Sequence, residues 1–171
     1  TFSAAENQTA IGTVTATDAD GDTLSYSLSG TDASSMSINS SSGVLTFNST
    51  PDYETKTSYT ATVTASDGTN SSTQNITVNV TNVNDNTPSI TSSATFSAAE
   101  NQTAIGTVTA TDADGDTITY SLSGSDASSM SINSSSGVLT FNSAPDYETK
   151  TSYTATAVSY THLTLPTTSP V

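Results

Sequence analysis

The sequence predicts an all-β protein built from tandem seven-stranded Greek-key β-sandwiches, the second copy being truncated. Three observations lead to this prediction. Apolar residues alternate with polar residues over short runs, turn-forming residues separate the runs, and one segment occurs twice at an offset of 94 residues. No amphipathic helical period of useful length interrupts the pattern.

The first copy contains seven of these runs. In chain order they cover Thr1–Ala5, Val14 and Ala16, Leu24 to Leu28, Met36 and Ile38, Leu45 and Phe47, Tyr59 to Ala65, and Ile76 to Val80. A period of two places alternate side chains on opposite faces, as in a half-buried strand. Turn signals separate the runs at Gly21, Gly30, Gly43, Pro51 and Asp67-Gly68. Seven short antiparallel strands in a unit of this size predict a Greek-key sandwich.

The internal repeat defines the predicted domains. Residues 1–62 and 95–156 differ at only four positions, which are Leu24/Ile118, Ser25/Thr119, Thr31/Ser125 and Thr50/Ala144. We therefore predict repeat 1 at 1–81, a linker at 82–94, an incomplete repeat 2 at 95–156 and a divergent tail at 157–171.

The divergent tail begins at Ala157, where the sequence stops following the repeat. Ala157 acts as an extra residue before Val158, and a slip of one residue turns every following side chain to the opposite sheet face. We interpret the tail as an artefact at the end of an assembled fragment, with a genuine divergent terminus as the alternative.

The chain is strongly acidic, with 16 Asp or Glu residues against two Lys residues and a formal net charge of −14. Phosphate binding needs a basic face, so nucleic acid is not an expected partner. Twelve of the 16 acidic residues fall in a few recurring motifs, so the charge is clustered. Cysteine is absent, which leaves a bound metal as the obvious staple for a small core. No apolar run reaches the ~18 residues of a membrane span.

The connector between the copies reads NVNDNTP, from Asn82 to Pro88. Four of its residues carry side-chain oxygens, and Pro88 fixes φ and stiffens the backbone. Calcium takes roughly 6–8 oxygen ligands, so the connector suits this ion but needs further carboxylates from elsewhere.

The motifs, taken in order, resemble those of the cadherin family over residues 1–156. They are AEN at 5–7, DAD at 18–20, PDYE at 51–54, ASDG at 65–68 and the connector itself. The second copy repeats three of them, at 99–101, 112–114 and 145–148. The resemblance implies calcium bound between consecutive repeats.

Carried over residue by residue, the resemblance implies a ligand set drawn from both repeats and the connector. Its members are Glu6, Asp52, Glu54, Asn82, Asn84, Asp85, Asn86, Asp112 and Asp114, with Asp85 as the bridging carboxylate. Two positions depart from the family pattern. Asn82 stands where an Asp is usual, and Thr161 occupies the counterpart of Asp67, a position that normally completes the outermost site.

The function implied by the resemblance is calcium binding that stiffens a cell-surface or secreted adhesin and supports cell adhesion, including homophilic adhesion. The alternative is a passive stalk that presents a separate adhesive, carbohydrate-binding or enzymatic domain. Near-identical repeats rich in Thr and Ser favour a large bacterial surface protein. Neighbouring repeats are the structural partners, and another cell-surface protein or a glycan is a candidate adhesion partner. Trp is absent, so the Trp anchor with which some vertebrate cadherins exchange strands has no counterpart.

An enzymatic function is not expected. The single His lies in the divergent tail, and Asp52 and Glu54, one residue apart, are better explained as ligands than as an acid/base pair. The DADGD run at 18–22 is not an EF-hand loop, because Thr23 and Ser29 occupy the positions that require Gly and Glu. A plain acidic turn is the alternative interpretation of this run.

Overall fold

The computed structural model describes residues 1–161 and divides the chain into two units, Thr1–Val83 and Asn84–Val171. The predicted all-β class is confirmed. Within the described range, helical structure is limited to two 3₁₀ turns, Ala33–Ser35 and Ala127–Ser129, which the alternation did not predict. No helix in this range is long and apolar enough to cross a membrane.

Unit 1 is a sandwich of two sheets. Its strands are β1 Phe2–Ala5, β2 Ala10–Thr13, β3 Ser25–Ser29, β4 Met36–Ile38, β5 Val44–Phe47, β6 Ser58–Ser66 and β7 Ser71–Thr81. One sheet has the order β1-β7-β6-β3 and the other β2-β5-β4. Unit 1 therefore has seven strands, as predicted. Six of them lie where the alternation placed them, whereas β2 lies before the predicted run at Val14 and Ala16. Strand β7 lies between β1 and β6.

Two details of unit 1 differ from the sequence prediction. Strand β1 pairs with β7 in parallel, because these strands come from opposite ends of the unit and no tight turn constrains their direction. Strand β2 ends before Val14 and Ala16, which the alternation placed inside it. The Val14 N–H donates to the Gly43 carbonyl at 2.9 Å, and the Ala16 N–H donates to the Tyr26 hydroxyl at 3.1 Å. These bonds hold the segment without strand pairing.

The core of unit 1 lies between the sheets. Leu45 of β5 and Val78 of β7 are fully buried, and Phe47 meets Tyr59 edge to face with ring centroids 4.9 Å apart. The other buried apolar residues are Ala4, Val14, Met36, Ala61, Val63, Ile76 and Val80. Three of the ten core residues come from β7, so this strand is a main source of apolar burial.

Unit 2 repeats much of this arrangement. Its strands are β8 Ser89–Ile90, β9 Ala104–Thr107, β10 Ala110–Thr111, β11 Ile118–Ser123, β12 Met130–Ile132, β13 Val138–Phe141 and β14 Thr156–Thr161. They form a three-stranded sheet, β12-β13-β9, and two pairs, β10-β8 and β11-β14. Strand β14 occupies the place of β6 and keeps its register, with Ala157 opposite Leu122 as Val63 is opposite Leu28.

Strand β14 contains no extra residue in its pairing, contrary to the prediction, but its apolar side chains do face outward as the shifted pattern predicted. Val158 and Tyr160 are 42% and 50% exposed, whereas Ala157 and Ser159 are half-buried on the inner side. The apolar side chains therefore face solvent, and small or polar ones face the core.

Unit 2 has a smaller core as a result. Its buried apolar residues within the described range are Val108, Met130 and Leu139. Residues 95–99, which copy β1, form no strand. In unit 1 β1 pairs only with β7, and the counterpart of β7 lies outside the described residues.

Matched Leu-to-Ala substitutions test this difference. Leu45→Ala should lower the free energy of unfolding of unit 1 by about 2–5 kcal/mol, the usual cost of a cavity in a closed core. Leu139→Ala should cost unit 2 less, because Leu139 is 7% exposed in a smaller core. Hydrogen exchange, measured at increasing urea concentrations on peptide fragments that belong to only one unit, gives both losses of free energy. Equal losses of free energy in the two units would contradict the smaller core of unit 2.

Candidate metal centre

Glu6 is the best-anchored acidic residue of unit 1. It directly follows β1 and is only 2% exposed. One carboxylate oxygen accepts a hydrogen bond from the Tyr53 N–H at 2.8 Å, and the other accepts from the Val83 N–H at 2.6 Å. Asn7 adopts a left-handed φ of 60°, which Asn tolerates, and turns the chain away. Glu6 thus connects the PDYE loop to the start of the connector.

Glu54 and Asp52, from the same loop, take different positions. Glu54 offers a carboxylate oxygen within 4.8 Å of one from Glu6. Asp52 instead accepts hydrogen bonds from the Thr55 hydroxyl at 2.9 Å and the Thr55 N–H at 3.1 Å. The bond from the Thr55 hydroxyl is the main cause that lowers the pKa of Asp52. Glu6 and Glu54 therefore form the acidic pair of unit 1, and Asp52 closes its own turn.

At the start of unit 2, the connector folds around Asp114. The Asp114 carboxylate accepts from the Asp85 N–H at 3.2 Å, from the Asn86 N–H at 2.8 Å and from the Asn86 side-chain amide at 3.0 Å. The same Asn86 amide donates to Asp85 at 2.9 Å. The structure thus brings together three of the predicted ligands, Asp85, Asn86 and Asp114.

Asp112 and Asp114 belong to a second acidic group that also includes Asp116, with oxygens within 4.8 Å of one another. One Asp112 oxygen accepts from the Asp116 N–H at 3.3 Å, and the other is buried without a hydrogen-bond partner. A buried carboxylate oxygen without a donor is unfavourable, and either an ordered water or a cation would satisfy it. Asp116 was missed by the sequence prediction, although it completes the second copy of the DADGD run, at residues 112–116.

The remaining predicted residues lie within the connector. Asn82 is exposed at the end of unit 1, and Asn84 is half-buried at the start of unit 2. Asp67, whose counterpart is Thr161, accepts from the Thr69 and Asn70 N–H groups at 2.6 and 2.5 Å. These bonds lower its pKa, the bond from Asn70 being the larger cause.

Unit 2 carries one more acidic group that the prediction did not include. Glu100, Asp146 and Glu148 offer oxygens within 4.8 Å of one another, and all three are exposed. They are the counterparts of Glu6, Asp52 and Glu54 at the 94-residue offset. The repeat alignment alone was therefore sufficient to find them.

Neither lysine neutralises these groups. Lys56 forms an ion pair with Asp32 and lies 4.6 Å from the centre of the Tyr59 ring. Lys150 makes the same two contacts with Asp126 and Tyr153 in unit 2. Both lysines are thus held at aspartates outside the acidic groups.

Comparison with known proteins identifies a family. Residues 1–81 match the cadherin domain family. No curated protein matches the chain. Mouse cadherin-23 EC22-24 is similar in structure, with 25% identity, a TM-score of 0.76 and coverage of 92% of this chain and 56% of that one. Extracellular cadherin domains 3–6 of protocadherin gamma B2 have 26% identity and a TM-score of 0.65, with coverage of 85% and 41%.

Human protocadherin-24 EC1-2 shares the fold, with 24% identity, a TM-score of 0.71 and coverage of 86% of this chain and 76% of that one. The present chain spans only about half of the cadherin-23 fragment. All three similar structures are tandem extracellular cadherin domains.

The pKa of Asp52 provides a test of the loop geometry. Thr55→Val removes the hydroxyl that is the main cause of the lowered pKa, so the pKa should rise toward its usual value of 3.8. Because the folded-state pKa is lowered, Asp52 stabilises unit 1 above that value, and the contribution is lost as pH falls through the folded-state pKa. In the Thr55→Val variant the Asp52 pKa is higher, so as the pH falls this contribution should be lost at a higher pH than in the unsubstituted chain. Carbon-detected NMR titration of the carboxyl group measures the shift.

The matched control is Thr149→Val, which should raise the pKa of Asp146 in unit 2 for the same reason and leave Asp52 unchanged. An unaltered Asp52 titration in Thr55→Val would contradict the hydrogen bond.

Proposed function

Because residues 1–81 belong to the cadherin family, whose domains are extracellular adhesion modules that typically bind calcium, we propose that this chain binds calcium where its units join. The ion stiffens a cell-surface or secreted adhesive protein. One observation carries the proposal: each unit holds an acidic group anchored on the connector. Unit 1 contributes Glu6 and Glu54, and unit 2 contributes Asp85 and Asp114.

Covalent geometry supports joining these groups around one set of ions. Glu6 accepts from the Val83 N–H, and Asp114 accepts from the Asp85 N–H. Consecutive Cα atoms are 3.8 Å apart, so the Cα atoms of Val83 and Asp85 are at most about 7–8 Å apart. Carboxylates bonded to amides this close along the chain are within reach of shared or adjacent cations. Asp52, Asn82, Asn84, Asn86 and Asp112 complete the proposed ligand set.

The donor chemistry fits calcium. Every candidate ligand is an oxygen, cysteine is absent, and the single His is His162. Oxygen donors in flexible, irregular geometry favour calcium over zinc, which takes nitrogen and sulfur ligands. The orphaned Asp112 oxygen also supports a cation at the DADGD run.

Repulsion within the acidic groups explains why the ion matters mechanically. Two carboxylates about 5 Å apart repel by about 3 kcal/mol at an effective dielectric constant of ~20. Without a cation this repulsion remains, and the connector acts as a hinge. With calcium the opposing carboxylates share the ion, and the hinge becomes a semi-rigid joint.

Calcium should raise the melting temperature of the chain. Extracellular modules bind calcium with Kd values of ~10⁻⁴–10⁻³ M, so millimolar calcium is the relevant range. At about 100 times Kd, which is ~10–100 mM calcium, one site stabilises by about 2.7 kcal/mol. This corresponds to a rise of roughly 10 °C or more for a domain of this size, and the rise is smaller at ~1 mM. Asp85→Ala and Asp114→Ala should each remove most of the rise, as measured by calorimetry with and without calcium.

The matched control is Asp20→Ala. Asp20 is the counterpart of Asp114, but the connector lies 62 residues further along the chain, after unit 1. The calcium-dependent rise should survive in Asp20→Ala. A calorimetric titration of the unsubstituted chain that shows no binding would refute the proposed function.

Adhesion by the repeats themselves is distinguished from a passive stalk by bead aggregation. Beads coated with a multi-repeat version of the chain should clump in calcium and disperse in a chelator, because only stiffened repeats present a defined binding face. Asp85→Ala beads should remain dispersed in both conditions. Dispersed unsubstituted beads in calcium would favour the stalk that presents a separate domain.

A further inference from the structure

The side chain of Asn86 connects two carboxylates at the start of unit 2. Its amide nitrogen, Nδ2, donates to Asp85 Oδ1 at 2.9 Å and to Asp114 Oδ1 at 3.0 Å. The Asn86 backbone N–H donates to Asp114 Oδ2 at 2.8 Å. Asn86 is half-buried, so these bonds are partly shielded from water. A single residue of the connector thus joins Asp85 to the DADGD run at 112–116.

The two partners fix the orientation of the amide. An ionised carboxylate only accepts hydrogen bonds, whereas an Asn side chain has one NH₂ donor and one carbonyl acceptor. The end of Asn86 that faces Asp85 and Asp114 is therefore the NH₂ end. Calcium takes oxygen ligands, so this end of the side chain does not coordinate it. What the NH₂ group contributes here is hydrogen bonding to two proposed ligands.

These bonds hold the two carboxylates at a spacing that suits one cation. Two oxygens bonded to the same calcium lie at most about 5 Å apart, because each bond is ~2.3–2.6 Å long. Asp85 and Asp114 offer oxygens within 4.8 Å of each other. A carboxylate has about four lone-pair sites, so one that accepts from Asn86 can still bind an ion. Asp114 also belongs to the acidic group with Asp112 and Asp116, so its orientation affects that group as well.

A neutral donor is better suited to this position than a charged one. Carboxylates at this spacing repel each other, and the N–H dipoles of the amide offset part of the repulsion. A lysine ammonium would offset more of it, but its full positive charge would repel calcium. The two lysines of the chain are paired with Asp32 and Asp126 instead. The amide therefore gathers the carboxylates and leaves their negative charge for the ion.

We propose that the Asn86 side chain is a positioning residue, whose NH₂ group sets the spacing and orientation of the Asp85 and Asp114 carboxylates for calcium. The inference rests on the proposed calcium function and assigns the side chain a role distinct from that of a ligand. The backbone carbonyl of Asn86 stays available as a ligand in any side-chain variant. Hydrogen-bond partners of metal ligands typically account for a factor of 10 to 100 in affinity.

The test is an NMR titration of the ¹⁵N-labelled full chain with calcium chloride. Residues 82–94 occur once in the sequence, so the backbone N–H signals of Asp85 and position 86 report the Kd of this site alone. Asn86→Ala should raise the Kd by about tenfold to a hundredfold. The matched control is Thr87→Ala, which alters the exposed neighbour and should leave the Kd unchanged. Melting in a chelator shows that both variants are folded, since neither residue belongs to a core.

The side-chain amide of Asn86 gives a second readout, in the unsubstituted chain. Because its N–H groups bond to carboxylates, they should exchange slowly with water, as measured by saturation transfer. The exchange should stay slow when calcium is added. Faster exchange in calcium would show that the amide turns its oxygen to the ion, and the positioning role would be wrong.

The titration separates this inference from the function on which it rests. If the unsubstituted chain binds no calcium, the proposed function fails and the role of Asn86 fails with it. If the unsubstituted chain and Asn86→Ala bind calcium with equal Kd, the proposed function stands and only the positioning role is overturned. A higher Kd in Asn86→Ala, together with slow amide exchange in calcium, supports both.

Discussion

The insertion of β7 between β1 and β6 is the interaction on which the rest of unit 1 depends. Its buried side chains close the sandwich, and its end carries the chain past Glu6. The Glu6 N–H donates to the Thr81 carbonyl at 3.1 Å, and the Glu6 carboxylate accepts from Val83 at 2.6 Å. The strand that completes the core therefore also positions the Glu6 carboxylate at the connector, so that folding of unit 1 places this acidic residue.

Charge is the second constraint. The only two lysines form ion pairs with Asp32 and Asp126, and each also lies over a tyrosine ring. These contacts are internal to each unit and involve aspartates outside the acidic groups. Like charges gathered on a short segment repel, and the proposed calcium ion would offset this repulsion. The acidic composition thus bears on the proposed joint as well as on solubility.

Much of the fold was predictable, because strand alternation reports directly which residues face the core. Six of the seven strands of unit 1 and the outward apolar face of β14 follow from a period of two. The end of β2 did not follow, because Val14 and Ala16 bond to Gly43 and to the Tyr26 hydroxyl, which are distant in sequence. For the site, too, the motifs did not predict every side-chain contact, and Asp52 is an example. Its side-chain oxygens bond to Thr55 three residues away, and such local competition is not apparent from a ligand motif.

Comparison of the two copies distinguishes structural features with local causes from those with long-range causes, because 58 of 62 aligned positions are identical. Features whose partners all lie within the aligned residues are reproduced, including the 3₁₀ turn, the left-handed Asn and the lysine-aspartate-tyrosine contact. In unit 1 the β1 strand pairs with β7, about 75 residues away along the chain, so its conformation depends on a long-range neighbour as well as on its own propensity. Glu6 depends on the same neighbour. It is buried where β7 brings Val83 to it, so the last strand of the sandwich positions this acidic residue.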